Sequence, residues 1–98
     1  MKTAIELVAD ERLRQTEVLG WSSAFDDIQN NNNQIAIAAS CYCLPVGQRD
    51  FRVREQWPWD YEWWKPTPDD RIREIVKAGA LIVAEIERLQ RLRDAPNL

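Results

Sequence analysis

The chain contains no histidine. That removes imidazole acid–base catalysis, histidine-based triads and histidine-ligated metals. Its two cysteines, Cys41 and Cys43, are too few for a disulfide framework, and two thiols do not complete a zinc site. They read as small core residues rather than reactive thiols. Positive charge is in deficit, with 13 Lys and Arg against 16 Asp and Glu. Broad electrostatic binding to nucleic acid is therefore not expected. No long apolar run is present either. The most apolar stretch is interrupted by Lys77 and Glu85, too short to span a bilayer, and no signal peptide is visible. The expected location is the cytoplasm, with no membrane partner.

What the sequence does hold is helix. The 98 residues suit one domain, 1–98. Its last third predicts a long helix over 68–93. Thr67 can cap it, Pro68 loses no needed donor at the first helical position, and Asp69 and Asp70 suit the positive end of the macrodipole. Arg88, Arg91 and Arg93 suit the negative end. Ile72, Ile75, Val76, Gly79, Ile82, Val83, Ile86 and Leu89 share an arc of roughly 140°, the stripe of a core-facing helix. Residues 78–84 are uncharged all round, so a second cover is expected there, either intrachain or as the seam of a homodimer. Gly79 costs about 1 kcal/mol against alanine, which points to close approach by another backbone.

A first helix is predicted over 3–19, opened by a Thr3-to-Glu6 capping box and stopped at Gly20. Its core stripe is Ile5, Val8, Ala9, Thr16 and Leu19. Arg12 falls inside that stripe, so it either snorkels or needs a carboxylate from Asp26, Asp27 or Glu85. Residues 21–33 read as a connection rich in asparagine. Its Asp26 and Asp27 are helix caps, partners for Arg12, or Mg²⁺ ligands. The stretch 34–44 predicts a central helix, since alanine favours helix, with a short buried strand as the competing pattern. Its alanines suit close packing near Gly79.

The connection 46–66 is long for a structureless loop, so it is functional or packed by its own side chains. It holds Trp57, Trp59, Trp63 and Trp64, four of the five tryptophans. As structure they form a clamp across the last helix, covering Ala80, Leu81 and Ala84. As function they form a platform on which a base or sugar stacks while Lys65, Arg52 or Arg54 meets phosphate. The fold expected from all this is all-α: a compact three-helix domain with the tryptophan-rich segment packed over a long C-terminal helix.

The run Glu11-Arg12 with Gln15, Gly20-Trp21, Asp26-Asp27, the Ala-Ala-x-Cys-Tyr segment, Trp57-Pro58-Trp59, Trp63-Trp64-Lys65-Pro66 and Val76-Lys77-Ala78-Gly79-Ala80-Leu81-Ile82 resembles a family of small bacteriophage and prophage proteins. The likeness covers nearly the whole chain. Relatives carry His-Asp-Asp and Gly-Glu-Leu where this chain has Phe25-Asp26-Asp27 and Asn33-Gln34-Ile35. The chain is more distantly similar to all-α nucleotide pyrophosphohydrolases of the MazG and dUTPase type, but lacks their EExxE and ExxD spacings.

The phage-like pattern, small size, tryptophan-rich segment and absent catalytic signature together point to a non-catalytic accessory protein that binds a host bacterial protein or a small nucleotide, counter-defence being one such role. Arg12, Trp57, Trp59, Trp63, Trp64 and Lys65 are its candidate ligand-binding residues. The more distant likeness implies an Mg²⁺-dependent hydrolase or its remnant, with Glu11, Asp26 and Asp27 as metal ligands and Glu85 nearby. A self-associating structural module is the third expectation.

Overall fold

The computed structural model describes residues 1–95. Among them the chain is all-helical. The elements are α1 Ala4–Glu17, α2 Ser23–Gln29, α3 Gln34–Cys43, α4 Asp50–Gln56 and α5 Arg71–Asp94, with 3₁₀ turns at Val46–Gln48 and Tyr61–Trp63. The three expected helices are α1, α3 and α5. The two seven-residue helices α2 and α4 correct the expected count of three. Ser22 explains α2, because its hydroxyl accepts the Phe25 N–H at 3.2 Å. Asp26 and Asp27 thus lie inside a helix and do not cap one.

The start of α1 follows its sequence. Thr3 Oγ1 accepts the Glu6 N–H at 3.2 Å, and the Glu6 carboxylate accepts the Thr3 N–H at 2.9 Å. The helix ends at Glu17, and Gly20 adopts φ +75°. That left-handed turn lets the Trp21 N–H reach back to the Gln15 carbonyl at 3.0 Å. The start of α5 differs from expectation. Asp70 caps it, accepting the Arg73 N–H at 3.1 Å, while the Thr67 N–H goes to Glu74 Oε2 at 3.0 Å.

The core lies between α3 and α5. Ile35, Ala38, Ala39 and Cys41 of α3 meet Ala78, Leu81 and Ala84 of α5, with Val53 of α4 alongside. Small residues on both helices allow the close approach. Tyr42 and Trp64 extend this core into the tryptophan segment, their rings 4.6 Å apart between centroids. Arg49, just before α4, crosses to α5. Its Nη1 donates to Glu74 Oε1 at 3.1 Å, its Nη2 donates to Glu74 Oε2, and both side chains are buried.

The two apolar stripes face the core only in part: Val76 is buried and Val8 of α1 packs on Gly79 of α5, but most of the remaining stripe does not face the core. Helix α5 turns Glu74, Ala78, Leu81, Glu85 and Arg88 inward. Ile72, Ile75, Ile82, Ile86 and Leu89 stay outside, between 44% and 71% exposed. Likewise α1 buries Glu11 and Gln15, while Ile5 and Leu13 are exposed. The inward charges are tolerated because each is paired: Glu74 with Arg49, Glu85 with Arg88, Glu11 with Arg14 and Arg73. Gly79 is approached by a side chain rather than a backbone. A Cβ there would lie 3.0 Å from Val8 Cγ2 of α1.

Candidate functional site

Helices α1 and α2, the start of α3 and the tryptophan segment enclose a cavity of about 350 Å³. Trp21, Trp59 and Trp63 form its aromatic wall, with Trp21 5.7 Å from Trp59 and 6.2 Å from Trp63 between centroids. Ile35, Leu81 and Ala84 supply apolar surface. The polar groups are Arg12, Gln15, Asp26, Gln29, Asn30 and Asp60. The Trp59 and Trp63 rings are tilted by 44° and 60° against Trp21, and such ring faces and edges beside polar groups suit a small ligand that carries an aromatic ring.

A chain of hydrogen bonds sets the polar groups. The Trp59 indole N–H donates to Asn30 Oδ1 at 2.9 Å, and Asn30 Nδ2 donates to Asp26 Oδ1 at 3.3 Å. The second Asp26 oxygen is buried and has no hydrogen-bond partner. Arg12 Nη2 stands 3.8 Å from it, beyond hydrogen-bond reach. Burial pushes the Asp26 carboxyl above its usual range, against the Asn30 bond and the Arg12 charge. Arg12 itself is largely buried, and its Nε donates to Glu87 Oε1 at 3.1 Å.

Gln15 is held by a second chain. Its Nε2 donates to Glu11 Oε2 at 3.2 Å, which leaves its buried carbonyl oxygen without a partner. Glu11 is fixed in turn by Arg14, at 2.8 and 2.9 Å, and by Arg73 at 2.5 Å. Burial pushes the Glu11 carboxyl up, but the arginine hydrogen bonds outweigh it and hold the group below the usual carboxylate range. Among the described residues, the buried side-chain polar atoms without a partner are Gln15 Oε1 and Asp26 Oδ2, and both residues line this cavity. Each is an acceptor. An unsatisfied buried acceptor costs about 1–3 kcal/mol, which a donor on a ligand relieves.

A second cavity, of about 410 Å³, shares Gln15, Trp21, Trp59, Trp63 and Leu81 with the first. Its charged lining is Arg14, Lys65, Arg73 and Lys77 against the single carboxylate of Glu11. Lys77 Nζ donates to the Lys65 carbonyl at 2.7 Å. Burial, helped by the nearby Arg73 charge, holds the Lys77 ammonium below its usual range.

The residues expected at a site are thus only partly gathered. Arg12, Trp59 and Trp63 line the first cavity, and Trp57, Trp59, Trp63 and Lys65 line the second. Trp64 is buried in the core, with the Arg49 guanidinium 5.1 Å from its ring centroid. Glu11, Asp26 and Asp27 are not brought together. Asp27 is exposed and is taken by Arg91, whose Nη2 donates to Oδ1 at 2.8 Å and holds the carboxyl below its usual range. Among the described residues no group of three or more Cys, Asp or Glu is placed to hold a metal.

Gln15, Trp21 and Asn30 were missed as site residues. Gln15 carried a usable signal, since it follows Glu11 by one helical turn. Asn30 carried none, being one of four consecutive asparagines. Compared with known protein families, curated proteins and solved structures, the chain has no match.

Proposed function

We propose that this protein binds a small nucleotide without transforming it. The base enters the first cavity, where an exocyclic amino group or ring N–H donates to Asp26 Oδ2 and Gln15 Oε1. The observation that carries this reading is the pair of buried, unpartnered acceptors beside a wall of three tryptophans. Base–aromatic stacking adds about 1–3 kcal/mol per base. The phosphates lie toward the second cavity, whose four cations outnumber its one carboxylate. The resemblance to phage-encoded proteins gives such a binder a purpose, holding a host nucleotide signal out of circulation.

Hydrolysis is not part of this proposal. Glu11 and Asp27 are each occupied by arginines, so three carboxylates do not converge on one ion. The test is calorimetric titration with adenosine, cytidine and guanosine, their phosphates, and N6,N6-dimethyladenosine. At least one amino-bearing base should bind, its phosphates should bind tighter and with stronger salt dependence, and the dimethylated base should not bind. Equal binding of the dimethylated base would remove the two acceptors from the account.

A further inference from the structure

The side chains facing outward on α5 follow a strict spacing. Ile72, Ile75, Ile82, Ile86 and Leu89 follow one another at three, seven, four and three residues, and Gly79, in the gap, is covered by Val8 of α1. Apart from that gap, this is the a/d pattern of a helix–helix seam, narrower than the stripe of a helix lying on a core. Yet these isoleucines and the leucine face outward, while α5 spends its inward face on charge pairs and alanines. Beside the stripe runs α1, with Val8 against Gly79 and with Ile5 82% and Leu13 54% exposed. A shallow groove between the two helices is lined by Ile5, Val8, Ala9, Leu13 and Val83, and at one end by the Arg12–Glu87 ion pair with Thr16 and Ser23. Two helices thus present a largely apolar face that the Arg12–Glu87 ion pair interrupts. The protein is also flat, 48 × 37 × 20 Å, its short axis two helix diameters deep.

We infer that this face is covered by a second copy of the chain, with α5 packed antiparallel against α5 of the partner and α1 flanking the seam on each side. Area supports this occupant. The exposed parts of Ile5, Leu13, Ile72, Ile75, Ile82, Ile86 and Leu89 equal about four fully exposed aliphatic residues. That is on the order of 700 Å², and Val8, Ala9 and Val83 bring it near the roughly 800 Å² per partner of a stable interface.

Register and charge support the direction. An antiparallel pairing centred between Ala80 and Leu81 sets Ile72 opposite Leu89 and Ile75 opposite Ile86. It places Arg93 beside the Asp69–Asp70 end of the partner's helix and opposes the two helix dipoles. A parallel pairing would bring like charges together at both ends. The result is a four-helix seam with two-fold symmetry.

The test is molar mass by light scattering over a wide concentration range, for the native chain and for the Ile82→Glu/Ile86→Glu variant. The native chain should run at twice its chain mass. The variant should run as a monomer, with the helical circular dichroism of the protomer. A native chain that stays monomeric, or a variant that still dimerises, overturns the inference. Disulfide mapping keeps the test open should the variant fail to fold. Ile75→Cys and Ile86→Cys chains, each with Cys43→Ser, should cross-link to each other when mixed. Cross-links only between identical positions would overturn the antiparallel seam.

Discussion

In the proposed site, Asp26 is the side chain at which fold stability and binding would oppose each other. One of its oxygens is fixed by Asn30, and the other is buried with no partner. Asp26→Asn keeps the shape and removes the charge and one acceptor. The expected outcome is a fold more stable by about 1 kcal/mol in urea denaturation at neutral pH, with ligand affinity lowered at least tenfold. A variant that loses stability instead would show that the carboxylate serves the fold. Glu74 is the contrasting case. It is fully buried and meets Arg49, Arg71 and the Thr67 N–H. Glu74→Ala leaves Arg49 buried without its carboxylate, and should cost about 3–5 kcal/mol, read from the shift of the urea midpoint.

At the scale of the elements, what was legible followed from local chemistry. The Thr3–Glu6 box marks α1, and the alanine-rich stretch makes α3. The spacing of the apolar residues correctly reported helix in α1 and α5. It did not report which way the stripe faces, because periodicity measures only that one side differs from the other. Here the charged side turns inward, through the Arg49–Glu74 and Glu85–Arg88 pairs. The first pair joins residues 25 apart and leaves no periodic trace, and the second, three residues apart, looks the same whichever way its face points. Helix α2 was missed because its cap, Ser22, sits in a stretch of polar residues that reads as loop.

Gly79 tests how closely α1 and α5 pack. Alanine gains about 1 kcal/mol of helix propensity there but must displace Val8, whose Cγ2 lies 3.0 Å from the added Cβ. Gly79→Ala should therefore stabilise the Val8→Ala background by about 1 kcal/mol more than it does the native one. Additive effects in a double-mutant cycle would separate the two helices at this point.

At the scale of the whole molecule, the candidate site and the apolar face meet at Arg12, which lines both the first cavity and the groove between α1 and α5. Acid acts on the pairs that hold the interior together. Glu11 and Glu74 both sit below the usual carboxylate range, through hydrogen bonds from arginines that outweigh burial. Each adds stability that is in force above the unfolded carboxylate value of about 4.3 and is lost as pH falls through the folded value. Asp26, raised by burial, acts in the opposite sense, favouring the fold below about pH 3.9 and losing that contribution as pH rises through its folded value. The native chain should therefore lose urea resistance below about pH 4, and Glu74→Gln should flatten that loss.

The most direct measurement of the central claim is a tryptophan-fluorescence titration of the native chain and of Asp26→Asn with nucleotides that carry or lack an amino group on the base. Trp21, Trp59 and Trp63 line the cavity, so an occupied site reports itself. The account predicts a saturable change with amino-bearing nucleotides that is weakened at least tenfold in Asp26→Asn. A flat response to every nucleotide, or a response that Asp26→Asn leaves intact, would contradict it.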